Sequence, residues 1–175
     1  YLIKKYADIV FVTSDPDISK FITSKRGKDK VVVIRGGVDT RPSEEYLSSG
    51  KCIPLEERKY DACFVGRFHY QKGILELIDI WSLVCKYKPD AKLGIIGVGP
   101  LEKEVQDKIK KLGLISKIDL LGFRIGAAKY DVFMDSKIVV HPATYDSGGM
   151  AAAEASFLLF IIIFCVANMN FGAKT

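Results

Sequence analysis

Three short segments place cations, carboxylates and glycines where phosphate chemistry would use them. In Gly66-Arg67-Phe68-His69-Tyr70-Gln71-Lys72-Gly73, two cations stand five residues apart in a loop that runs into a helix start. Arginine offers a fork of donors and lysine a point charge, a combination suited to a phosphate or diphosphate at a helix N-terminus. A pair of solvated surface cations is the plainer reading of the same residues. The G-x4-G-K-[ST] phosphate loop is absent. Gly97-Val98-Gly99-Pro100 half-matches the dinucleotide fingerprint G-x-G-x-x-G. Glu102 holds the third glycine position, where a carboxylate would face the pyrophosphate, so a nicotinamide or flavin oxidoreductase is disfavoured. A turn that lets a ligand approach closely remains. Finally, Asp146 and Glu154 lie eight residues apart with Ser147-Gly148-Gly149 between them. The amides of Gly149, Met150 and Ala151 would open a helix and form an anion site. An N-cap at Asp146 or Ser147 with a solvated Glu154 accounts for the same residues without function.

Each segment follows a short apolar run, and the runs define the elements that must position them. Strands are predicted at residues 9–13, 31–34, 62–65, 93–96, 118–121, 138–140 and 160–164. Helical spacing is predicted over 16–24, 75–87, 102–112, 127–135 and 149–158. Residues 40–59 are polar and turn-rich, with Pro42, Gly50 and Pro54, and read as a linker. Alternating apolar strands and amphipathic helices argue an α/β fold with a doubly wound, Rossmann-like parallel sheet. Such sheets bind ligands beyond the carboxyl ends of their strands, which is where the three segments fall.

Composition narrows the class. The 175 residues are 49% apolar and 27% charged, which excludes intrinsic disorder, collagen and small disulfide scaffolds. The net charge is +5, but basic and acidic residues alternate along the chain, so no nucleic-acid footprint is expected. Cys52, Cys63, Cys85 and Cys165 are irregularly spaced, as reduced thiols of a cytoplasmic protein would be. Neither His69 nor His141 has a neighbour at metal-ligand spacing, so no metal is expected. The longest apolar run, residues 155–167, falls short of the roughly twenty residues a membrane span requires. The start at Tyr1 leads us to expect a piece of a longer protein.

Taken in order, G-R-x4-K-G after one strand, G-x-G-P after the next and Gly122-Phe123 after a third resemble retaining glycosyltransferases of the GT-B fold, family four. That family's Glu-x7-Glu signature has its counterpart in Asp146-x7-Glu154-Ala155, with Gly149 in the signature's glycine position. The resemblance implies that residues 1–39 end an N-terminal acceptor domain and 40–59 link the domains. Residues 60–175 would be the C-terminal donor-binding domain, truncated at its end. It implies that Arg67 and Lys72 hold the donor diphosphate, aided by the amides of Gly149, Met150 and Ala151. Glu154 would take the ribose hydroxyls, Asp146 the transferred sugar, and main chain at Phe123 and Arg124 the base. Gly97 and Gly99 would line the same crevice. The donor would be a UDP-, GDP- or ADP-sugar, with no further cofactor. A glycan, lipid or other acceptor would enter through the N-terminal domain, with peripheral membrane association of the full enzyme. The chain alone would be inactive. A non-catalytic nucleotide-binding domain derived from such an enzyme is the alternative, favoured by Asp146 standing where the family has Glu. The chain also has Leu159 and Ile161 where the family turns through Gly and Pro.

Overall fold

The computed structural model describes residues 6–12, 30–34, 37–143, 150–158 and, for backbone alone, 161–164. The chain divides into two compact units: residues 1–38 with 147–150, and residues 39–146 with 151–175. In the first, β1 (Val10–Val12) pairs in parallel with β2 (Val31–Val33), and the Ile34 N–H donates to the Val12 carbonyl at 2.8 Å. The helix expected over 16–24 lies outside the described residues.

The second unit carries the candidate site. Its five strands are β3 (Tyr60–Val65), β4 (Leu93–Ile96), β5 (Ile118–Leu120), β6 (Ser136–His141) and β7 (Ile161–Phe164). All pairings are parallel, in the order β5-β4-β3-β6-β7. The crossovers are α2 (Ile74–Tyr87), α3 (Glu102–Lys111), α4 (Ala127–Met134) and α5 (Met150–Phe157). Parallel strands need such helical crossovers, and helices on both faces explain why the strands are apolar throughout. Ala62 and Phe64 of β3 face one core with Leu93 and Ile95, whereas Cys63 faces the other with Ile96 and Val139. The first core is closed by Ile74, Leu77, Ile78 and Trp81 of α2, spaced as one helix face. Full burial of each such aliphatic side chain stabilises the fold by about 1.5–3 kcal/mol. Tyr130 and Phe133 of α4 close the second core. Deep burial pushes the Cys63 thiol up to about 12, so it acts as a small apolar side chain.

Residues 40–59 contain a helix that the composition did not announce, α1 (Arg41–Ser48). Pro42 suits its first turn, where no intrahelical N–H bond is lost. Tyr46 anchors it: the ring is buried in the second core, and its hydroxyl donates to Asp131 Oδ1 at 2.6 Å. One buried aromatic in an otherwise polar stretch gives no periodicity to read. The chain then passes through a 3-10 turn at Leu55–Glu57 into β3.

Candidate functional site

The strand order reverses beside β3. The β4 and β5 connections progress to one side of it, and β6 and β7 lie on the other. Ligands of such sheets bind at this switch, beyond the carboxyl ends. The turns after β3 and β4 interlock there. The Gly66 N–H donates to the Ile96 carbonyl at 3.0 Å, Phe68 N–H to Val98 at 3.0 Å, and Leu101 N–H to the Phe68 carbonyl at 3.2 Å. Gly97 has φ +146°, and a Cβ there would lie 1.9 Å from the Gly66 carbonyl oxygen. A Cβ on Gly99 would lie 2.5 Å from the Phe68 oxygen. The space a side chain would need at both positions is therefore filled by the neighbouring turn. The Gly97 N–H in turn donates to the Gly122 carbonyl at 2.9 Å, which ties in the turn after β5.

Between these three turns opens a cleft of about 450 Å³. Val65, Gly66 and Arg67 form one wall, Ile96 to Pro100 another, and Phe123 with Arg124 the third. Arg67 is exposed and pairs with no carboxylate among the described residues. Arg124 is half-buried, its Nε donating to the Leu121 carbonyl at 3.2 Å. Phe123, 71% exposed, offers an apolar rim. A partly apolar cleft carrying two guanidinium groups suits a flat or apolar moiety joined to an anion.

The remaining expected residues sit elsewhere on the strands' carboxyl side. Lys72 ends a 3-10 turn, Tyr70–Lys72, whose start is capped by His69 Nδ1 accepting from the Gln71 N–H at 3.3 Å. Gly73 follows in the left-handed region at φ +66°, and a Cβ there would meet the Pro142 carbonyl oxygen at 2.3 Å. The start of α2 is thereby packed on the end of β6. Lys72 is half-buried and lines no wall of the cleft. Glu154 lies in the second turn of α5, where its Oε2 receives Lys129 Nζ at 2.5 Å. Met150 and Ala151 are the first residues of that helix. Asp146 and Gly149 lie outside the described residues.

The structure thus gathers Arg67, Gly97, Gly99, Phe123 and Arg124 in one cleft, without Lys72 or Glu154 among its walls. Phe68, 2% exposed beneath the interlocked turns, and Lys129 were not singled out from sequence. Lys129 did leave a signal, being a cation in the first turn of a helix, where the dipole disfavours it. A second cavity of about 420 Å³ opens beside α1 and the end of α4. Its Asp131 carboxylate is already taken by Tyr46 and Lys51, and it lies away from the strands' carboxyl ends. Among the described residues no three His, Cys, Asp or Glu side chains cluster as metal ligands, and no helix is long and apolar enough to cross a membrane.

A family model described as "Glycosyl transferases group 1" matches residues 51–167. An uncharacterised glycosyltransferase of Methanocaldococcus jannaschii is 33% identical over 134 residues, 73% of this chain and 34% of that one. The crystal structure of Anabaena HepE in complex with UDP-glucose superposes with a TM-score of 0.69 at 21% identity, covering 93% of this chain and 46% of that one. The C-terminal domain of a glycosyl transferase group 1 family protein from Francisella tularensis gives a TM-score of 0.56 at 23% identity, covering 77% and 74%. The chain spans between a fifth and about a third of the curated relatives it matches.

Proposed function

Because this chain belongs to the glycosyl transferases group 1 family, with the fold of a GT-B C-terminal domain, we propose that it holds the donor of a retaining, metal-independent glycosyl transfer. In that reading the anomeric carbon leaves the diphosphate oxygen of a UDP-, GDP- or ADP-sugar and joins an acceptor hydroxyl, with its configuration kept. The observation that carries the reading is Arg67, an exposed guanidinium without a carboxylate partner among the described residues, at the cleft beside the strand-order switch. A fork of fixed donors there meets a diphosphate and offsets the charge that grows on it as the sugar departs.

Lys72, held where α2 meets the end of β6, adds a second cation, and the amides of Gly149, Met150 and Ala151 a third source of positive potential. The base would lie against main chain at Phe123 and Arg124, over the rim lined by Gly97 and Gly99. Glu154 would take the ribose hydroxyls and Asp146 the transferred sugar. The reading assigns residues 1–39 to an acceptor domain, 40–59 to the link and 60–175 to the donor domain. It puts the acceptor, a glycan, lipid or other alcohol, on the rest of a cytoplasmic enzyme that binds membranes peripherally. The chain alone then binds nucleotide without transferring sugar.

Calorimetry with UDP, GDP and ADP tests the site, and each is to be compared with its sugar conjugate. Failure of all three to bind would refute it. In the full-length enzyme, product anomers resolved by NMR test retention, and full turnover in chelator tests metal independence. Asp146 in place of Glu favours a second reading, a binding domain without turnover; it predicts nucleotide affinity in a full-length protein that transfers nothing.

A further inference from the structure

The Lys129–Glu154 contact is the most enclosed ion pair among the described residues, with side chains 13% and 22% exposed. Every other described pair has at least one side chain about a third or more exposed, from Lys137–Asp61 at 33% and 19% to Arg41–Asp39 at 81% and 52%. Within α4 the helix dipole opposes a cation at the third residue, while the neighbouring Tyr130 ring, its centroid 5.2 Å from Lys129 Nζ, favours one. The Glu154 carboxylate across from it adds a full opposite charge. Both helices are crossovers of the parallel sheet, so each begins on the side where the strands end. Phe123 and Arg124 of the cleft lie only a few residues before Lys129 on the same connection.

The pair divides the carboxylate. Oε2 receives the ammonium, while Oε1 accepts no hydrogen bond from any described residue. We propose that Lys129 is a positioning residue: it fixes the Glu154 carboxylate through one oxygen and leaves the other to accept from a ribose hydroxyl of the bound nucleotide. The proposal rests on the assignment of Glu154 to the ribose made above. A flexible side chain bound at one oxygen is ordered before the ligand arrives, so less freedom is lost on binding. Lys129 itself touches no part of the nucleotide.

The test compares nucleoside diphosphates with their 2′,3′-dideoxy forms, using UDP, GDP and ADP on the chain in calorimetric titrations. The unsubstituted chain should prefer the ribose form by roughly tenfold or more, the scale of a hydrogen bond to a charged group. Lys129→Met should shrink that preference to within about threefold while leaving dideoxy affinity unchanged, and Lys129→Arg should keep most of it. Lys129→Gln serves the same comparison should the Met variant not fold. An equal loss for ribose and dideoxy ligands in both the Met and Gln variants would reduce Lys129 to a structural role and overturn the proposal alone. A chain that binds both forms equally before any substitution would instead overturn the Glu154 assignment, and the proposal with it.

Discussion

Gly97→Ala is the sharpest probe of the interlocked turns. The added Cβ would stand 1.9 Å from the Gly66 carbonyl oxygen and 3.2 Å from the Phe68 ring. The obstructing atom is backbone, so relief requires the β3 and β4 turns to part by more than an ångström (about 1.1 Å to reach even a 3.0 Å contact). Alanine at φ +146° adds strain of about 1–3 kcal/mol. Forcing the turns apart adds about 1–3 kcal/mol more, as overpacking does. The expected loss is about 2–6 kcal/mol, or a fall in Tm of roughly 4–24 °C at about 2–4 °C per kcal/mol for a chain of this size. Gly113→Ala is the matched control: its φ is +68°, but nothing lies within 4 Å of the added atom. Strain alone should cost it about 1–2 kcal/mol. Thermal unfolding followed by circular dichroism, with urea titration as a second measure, reads both. If Gly97→Ala proves no worse than Gly113→Ala, the turns do not touch as described and the cleft lacks the wall assigned to them.

Arg67→Ala should weaken nucleoside diphosphate binding by about 1.5–3 kcal/mol in calorimetry, and Arg67→Lys should not restore it, since a point charge lacks the fork. In the full-length enzyme, Asp146→Ala should lower turnover more than nucleotide affinity, whereas Glu154→Ala should weaken UDP and UDP-sugar alike; equal effects on bare nucleotide would refute the division of roles. Acid stability should depend on Asp61. Burial raises its pKa, but Lys88 at 2.5 Å, Lys137 at 2.9 Å and the Lys92 N–H at 3.1 Å outweigh burial, and the result lies below the ordinary value. A depressed folded pKa gives stability that is present above the unfolded value, about 3.9, and lost as pH falls through the folded one. Asp61→Asn should therefore flatten the fall in Tm below about pH 4, and an unchanged acid profile would count against these contacts.

The strands were legible because their apolar runs are continuous, as two covered faces demand; Leu93–Ile96 has the bounds expected. Glycines closing those runs mark the carboxyl edge, and Gly66, Gly97 and Gly99 line the cleft there, whereas Phe123 and Arg124 are expected beside it only from the family resemblance. The reason for the glycines at 97 and 99 is not legible in the same way. Sequence suggests room for a ligand, whereas the occupying atoms belong to Gly66 and Phe68, thirty residues away. α1 was missed because its one informative residue, Tyr46, declares itself only through Asp131 on a distant helix. The Lys129–Glu154 pair has a similar origin: its residues lie 25 positions apart on the successive helices α4 and α5, which flank β6, and no local periodicity links them. Local pattern gives elements, and contacts between elements come from topology.

The central place of β3 also governs how the domain can assemble. Its register runs Ala62 to Leu93 on one side and Tyr60 to Ser136 on the other. During synthesis the first edge finds its mate once β4 emerges, but the second must wait until α3, β5 and α4 have all been made. Throughout that interval an almost wholly apolar strand shows an unsatisfied edge, the template on which chains aggregate. Loop closure over so long a separation is also slow, which places the β3–β6 zipper late on the folding route. Nascent chains stalled between residues 100 and 135 should be the species most dependent on chaperones.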